Sequence, residues 1–206
     1  IRYCNKWDTW LYWDNIRWAE DENREAVRLA HATTRSIYNE VAQETDPDKR
    51  IKLARFALVS ESSPRIAAML EHAKPYLTLD PDDLDTQSNL LNVRNGVLDL
   101  ENRVLQEHDK HLKLPKYVDI PLDPLANCPR WEAFIALITG GDEDLAEFIR
   151  LAIGYSLTGF TDETALFVCY GGGCNGKSTF FRTMEMLFGD YFTKTDIEAL
   201  LSSYRP

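Results

Sequence analysis

ALFVCYGGGCNGKSTFF, Ala165 to Phe181, decides how the rest of this chain is read. Its first six residues are apolar and β-prone, as a buried parallel strand should be. They run into Gly171-Gly172-Gly173-Cys174-Asn175-Gly176-Lys177-Ser178, which satisfies the spacing G-x-x-x-x-G-K-[ST]. A helical pattern follows from Thr179 to Leu187 and ends near Gly189. Strand, glycine loop and helix in that order are what phosphate binding demands. Glycines let successive backbone N–H groups converge on an anion, and the following helix turns its dipole and free N–H groups to the same point. In such a loop Lys177 reaches the β- and γ-phosphates as a point charge, and the Ser178 hydroxyl ligates Mg²⁺. The expected ATP cradle is therefore Gly171, Gly172, Gly173, Cys174, Asn175, Gly176, Lys177, Ser178 and Thr179. Lys177 and Ser178 are the catalytic candidates, and Ser178 is the metal candidate. Asn175 either touches the γ-phosphate or shapes the turn. A flexible glycine turn that happens to precede a lysine is the competing reading, and both flanking elements weigh against it.

At 206 residues the chain has room for one large domain or two small ones. A hydrophobic fraction of 44% and a charged fraction of 27% are ordinary for a globular chain, which excludes wholesale disorder. No apolar run is long enough to span a bilayer and no signal segment opens the chain, so the expectation is a cytoplasmic protein with no membrane partner. The first residue is Ile1 rather than Met, which suggests a trimmed chain. Net charge is -10, a sign that repels phosphate backbones. That argues against a dedicated DNA-binding module in these residues, though not against a larger assembly that grips DNA elsewhere. Cys4, Cys128, Cys169 and Cys174 are scattered without a CxxC pair, and read as reduced thiols.

Upstream of the loop the pattern is mostly helical. Trp7, Trp10, Trp13 and Trp18 crowd the opening, where Asp14-Asn15 looks like a hairpin turn. Base stacking on that platform is one reading. Few cations interleave the rings, so a hydrophobic cover is the better one. Apolar spacings of three and four then predict a helix from Asn23 to about Gln43. A second follows Asp46-Pro47-Asp48, and a third runs from Arg65 to about Ala73 behind Pro64. His31 and His72 sit in these helices without partner spacing, and the acidic run Asp80–Asp85 lacks a regular metal-ligand pattern. Leu90–Val93, Val97–Leu100 and Val104-Leu105, joined by Arg94-Asn95-Gly96 and Glu101-Asn102-Arg103, predict a short β-meander. The proline-rich stretch from Pro115 to Pro129 is the candidate boundary. Beyond it, Trp131 to Ile138 and Leu145 to Ile153 predict two helices, separated by Gly140-Gly141 and capped by Asp142.

Leu90–Leu100, Asn127-Cys128-Pro129-Arg130-Trp131, Gly154–Gly159, GGGCNGKST and Leu187–Tyr191 follow one another in a familiar order. The set resembles the phage and plasmid primase family, in which a superfamily 3 helicase domain follows a linker domain. The poxvirus primase-helicase is similar. The resemblance covers nearly the whole chain and is weakest in the aromatic opening. It implies an α+β architecture: a mainly helical N-terminal linker or collar domain with a short β-meander over residues 1–124, then, over 125–206, a helical lead-in and the start of a P-loop α/β ATPase domain. It also implies an AAA+-like, hexameric, ATP-hydrolysing DNA helicase of a phage, prophage or plasmid, working in a bacterial host on single-stranded or forked DNA, with an upstream primase domain. The family's Walker B acids, polar sensor and arginine finger follow the loop. Nothing between Tyr191 and Pro206 matches them. The expectation is therefore a fragment with little turnover of its own.

Two other readings stand beside this one. A non-enzymatic module that couples primase to helicase or mediates oligomerisation would have the acidic charge and no use for Walker B. A P-loop nucleotide kinase would place its loop near the chain start, whereas here long unrelated sequence precedes it.

Overall fold

The computed structural model describes residues 1–196. They form two compact units, one of Ile1–Asp14 and Trp18–Leu84, the other of Asn15–Arg17 and the described residues from Asp85 on. The architecture is α+β, with helices and two small antiparallel sheets.

The first unit opens on a sheet ordered β1 (Arg2–Cys4), β2 (Thr9–Trp13) and β3 (Trp18–Glu20). The hairpin expected at Asp14-Asn15 is present, and Asn15 takes the left-handed backbone (φ 79) that such a turn requires. Strand β1 was not expected: three residues are too few to show alternation, and Arg2 interrupts the apolar pattern. Tyr3 fixes it from both sides, its N–H donating to Leu77 O at 2.7 Å and its carbonyl accepting from Leu79 N at 2.9 Å. The inner face packs Cys4, Leu11 and Trp18 against Leu79 and Leu84. Leu11 is 1% exposed, a burial that contributes about 2 kcal/mol. Trp10 leans on Tyr3 (5.0 Å between ring centroids) and Trp13 on Trp18 (6.2 Å), so these indoles cover the protein's own core.

Three helices follow: α1 (Glu25–Gln43), α2 (Pro47–Ser60) and α3 (Ser63–Ala73). Helix α1 begins two residues later than expected. Arg24 sits left-handed (φ 60) with no cap of its own, and the Asp21 carboxylate accepts from Glu25 N and Ala26 N instead. Its inward stripe, Ala26, Ala30 and Thr34, is small enough for close helix approach. Asp46 caps α2 as its sequence suggests, accepting from Asp48 N (2.9 Å) and Lys49 N (3.3 Å), with Pro47 in the first turn. Ala57 and Ser60 face inward from α2, and Ile66 from α3. Within the acidic run, Asp80 and Asp82 hold the Lys6 ammonium at 3.0 and 2.8 Å. A backbone N–H from Asp82 and the Lys6 ammonium keep the Asp80 carboxyl below the usual range.

The second unit carries the predicted meander, β4 (Leu90–Val93), β5 (Gly96–Asp99) and β6 (Val104–Gln106). Arg94-Asn95 makes a two-residue turn, and Gly96 opens β5. A Cβ on Gly96 would lie 2.4 Å from Gln106 O, so the backbone of β6 leaves no room for a side chain there. Asp99 holds the second turn by accepting from Glu101 N and Asn102 N, bonds that also lower its carboxyl pKa. The proline-rich stretch is tied to this sheet. Val118 bridges to Val93, its N–H donates to Asn92 O at 2.9 Å, and the Asn95 amide exchanges bonds of 2.9 and 2.8 Å with Leu122. At the centre lies Asn92, 0% exposed, whose amide donates to Ile16 O and Lys116 O at 3.0 Å each.

Helices α4 (Pro129–Ile138), α5 (Glu143–Ser156) and α6 (Lys177–Phe188) complete the unit. Gly140 and Gly141, at φ 65 and 83, end α4, and Asp142 caps α5 by accepting from Leu145 N at 3.0 Å. One expected element is corrected. Ala165–Tyr170 joins no ladder among the described residues, and Leu166, Val168 and Tyr170 are 81%, 69% and 90% exposed. A parallel strand is made by its neighbours' hydrogen bonds, and neither sheet of the described residues runs beside it. No helix of the described residues is long and apolar enough to cross a membrane.

Candidate functional site

The glycine loop leads directly into α6. Gly176 occupies the N-cap position at φ 86 with no side-chain cap, so the first N–H groups of α6 are left for another acceptor. Its left-handed backbone is one reason for glycine, and packing is another. A Cβ there would lie 2.7 Å from Ile138 Cγ2 and 3.1 Å from Phe134 Cε2. Helix α4 thus forms a floor under the loop's last glycine. Trp131 stacks on Phe180 at 5.9 Å and leans on Phe134 at 5.5 Å, tying the same floor to the first turn of α6.

Lys177 folds back over the loop. Its ammonium donates to Gly171 O (3.0 Å), Gly172 O (3.1 Å) and Asn175 Oδ1 (2.7 Å). Gly171 sits at φ 149, a backbone that L side chains rarely adopt, and a Cβ on it would meet Asn175 Nδ2 at 2.2 Å. The Asn175 amide therefore lies against Gly171, with its oxygen on the lysine. Gly172 and Gly173 face open space, since no atom lies within 4 Å of where a Cβ would be. Cys174 takes the left-handed region at φ 55 and is exposed. Ser178 and Thr179 are exposed at the start of α6. No group of three or more His, Cys, Asp and Glu residues able to hold a metal occurs among the described residues.

The structure thus gathers Gly171 to Thr179 into one exposed turn on a helix N-terminus. Sequence reasoning left the Asn175 side chain undecided between a ligand and a turn former; in this structure it holds the lysine. It did not find Phe134 and Ile138. Their i, i+4 spacing marks an inward face of α4 but does not say which element that face meets. The stretch from Tyr191 to Pro206, where the sequence matches none of the family's Walker B acids, sensor or arginine finger, lies partly outside the described residues.

Comparison with known proteins places the upstream part of the chain. Residues 1–140, more than half of the chain, match the family described as D5 N terminal like. A protein named as a helicase in Acanthamoeba polyphaga mimivirus is 25% identical over 189 residues, covering 88% of this chain and 19% of that protein. Proteins named as primases in the Warthog/Namibia and Pig/Kenya isolates of African swine fever virus are 27% identical over 128 residues, covering 59% of this chain and 13% of theirs. The chain therefore spans less than a fifth of the length of these relatives. The matched region holds both sheets and helices α1 to α4, and ends before the glycine loop. On these grounds the chain belongs to the D5 N terminal like family, as a primase-helicase region.

Proposed function

We propose that Gly171 to Thr179 binds the triphosphate of ATP with Mg²⁺, and that the chain contributes this loop to an ATP-driven helicase of superfamily 3 type in DNA replication. Residues 1–124 would serve as the linker or collar and 125–206 as the lead-in to the ATPase domain. The observation that carries the reading is the opening of α6. A left-handed glycine cap leaves helix N–H groups unpartnered beside a lysine whose charge is already aimed at the loop. The residues fit a phosphate: glycine backbone donors, a positive helix end and an ammonium converge, and the two middle glycines face open space. Lys177 would hold the β- and γ-phosphates, and Ser178 would complete the Mg²⁺ shell. The metal would neutralise charge on the phosphates when bound. The wider assembly, a homo-oligomeric ring with an upstream primase acting on single-stranded or forked DNA, belongs to the same proposal. Both viral relatives carry helicase or primase names, which supports the replication setting; a phage or plasmid source is part of the proposal.

The test is titration of a fluorescent ATP analogue with Mg²⁺ against the chain and against Lys177→Ala. Losing one charge-assisted contact set of about 1.5–3 kcal/mol should weaken binding about 10- to 100-fold. Equal affinity in Lys177→Ala would overturn the assignment.

The second reading, a coupling or oligomerisation module, draws on α5, which presents Leu145, Phe148 and Leu151 to solvent at 42%, 54% and 57%. Self-association that Phe148→Glu abolishes, with no nucleotide binding, would favour it.

A further inference from the structure

The net charge of -10 hides a segregation. From Lys49 to Leu70 the sequence carries five Lys or Arg against a single acid, Glu61. Glu61 is turned to Arg35 of α1 at 3.5 Å. Lys49, Arg50, Lys52, Arg55 and Arg65 are exposed and form no ion pair among the described residues. Of the other acids of the helical region, Glu25 pairs with Arg28, Glu71 with Lys74, and Asp46 caps the first N–H groups of α2, while Asp48 and Glu40 are exposed and form no ion pair among the described residues.

One of these cations, Arg65, lines a groove, and Phe56 brings α2, which carries the other four, to its edge. A depression of about 530 Å³ runs between α1, α2 and α3. Its walls carry the hydroxyls of Thr33, Ser36 and Ser60, and the Arg65 side chain stands at the start of α3. Phe56 lines it while remaining 52% exposed. Lys49 and Lys52 precede Phe56 by seven and four positions, so all three lie along one stripe of α2. Glu40 is the acid on the opposite wall. The Thr33 and Ser36 hydroxyls donate to the Leu29 and Thr33 carbonyls of α1, which leaves an aromatic face on a helix of unpaired ammonium and guanidinium groups, the chemistry that holds a single nucleic-acid strand: cations on phosphates, a ring against a base.

We propose that this groove binds single-stranded nucleic acid, with Lys49, Lys52, Arg55 and Arg65 on the backbone and Phe56 as the stacking platform. The site shares no residue with the glycine loop and does not depend on nucleotide binding there. An acidic polypeptide is the competing occupant. A half-exposed phenylalanine amid hydroxyls suits a base better than a carboxylate.

The test is anisotropy of a fluorescein-labelled oligothymidylate of about 20 nucleotides, with the 206-residue chain titrated across salt. Four phosphate contacts on a single strand give a log–log salt slope of about -2.8, or about a 50-fold loss of affinity from about 50 to about 200 mM salt. Lys49→Ala with Lys52→Ala should halve the slope and reduce that loss to about sevenfold. Arg55→Ala alone should lower the slope by about 0.7, and all three positions are exposed, so melting temperature should hold. Phe56→Ala should weaken binding about tenfold or more with the slope unchanged. Lys177→Ala should leave oligothymidylate binding as it is, which separates failure of this site from failure of the nucleotide loop. Absence of binding at low salt, an unchanged slope in the double variant, or displacement by polyglutamate as readily as by unlabelled oligothymidylate would each overturn the proposal.

Discussion

Replacing Gly176 with alanine puts the loop geometry to a quantitative test. The backbone at φ 86 costs an L-residue about 1–2 kcal/mol. The new methyl would also stand 2.7 Å from Ile138 Cγ2 and 3.1 Å from Phe134 Cε2. Both are ends of apolar side chains that can give way, so displacing them adds about 1 kcal/mol rather than several. The strain is relieved only by moving the start of α6, which carries the donors proposed for the phosphates. If about 2 kcal/mol separates the native loop from the relaxed one, the competent fraction falls to about 3%. The apparent Kd for Mg-ATP then rises about 30-fold. A fluorescent-nucleotide titration reads that change directly, and a thermal melt in parallel shows whether the cost has gone into stability instead. Gly154→Ala in α5 is the matched control: it lies outside the loop and its methyl meets no atom within 4 Å, so binding should stay within about twofold. Gly176→Ala binding ATP as the parent does, with an unchanged melting temperature, would refute the reasoning.

Two further outcomes follow from the second unit. Asn92→Asp keeps the shape of the buried amide but, when ionised, sets a carboxylate against the Ile16 and Lys116 carbonyls that the amide now bonds. The chain should lose about 3 kcal/mol or more at neutral pH. Burial raises the pKa of the new carboxyl in the fold, so the deficit should shrink as pH falls, and chemical melts at pH 5 and 7 that show equal deficits would contradict this. Tyr191 is pushed up to about 12, chiefly by burial, while the bond from Asn92 N opposes the shift. A raised folded pKa stabilises at every pH below the unfolded value of 10 and is lost as pH climbs from 10 through 12. Tyr191→Phe should flatten that fall, worth about 2 kcal/mol, in urea midpoints measured along the same pH range.

The meander and the helices were legible because their signals are local. Asp46-Pro47 and Asp142 cap helices through their own side chains, and Asn95-Gly96 fixes a turn within four residues. What escaped depended on distant partners. Strand β1 pairs with β2, and Tyr3 ties its other edge to Leu77 and Leu79, more than seventy residues away. Helix α1 is capped by Asp21 from outside the expected start, because Arg24 leaves the helical region. The glycine loop was legible as a motif. Its floor of Phe134 and Ile138 was not, because a helix face is visible in sequence before its neighbour is. The groove cations were visible as letters, and the summed charge concealed them: a total of -10 averages over a run that is itself strongly basic.

The unpaired segment Ala165–Tyr170 has a consequence for handling the protein. Six consecutive residues without charge or proline, rich in β-forming side chains and open to solvent, are a template for intermolecular strand pairing. Its backbone groups join no ladder among the described residues and can bond a neighbouring copy at higher concentration. Colloidal stability of the chain will therefore be governed by this stretch rather than by its net charge. A single lysine at Leu166 or Val168, both already facing water, is the gatekeeper substitution that should keep it in solution.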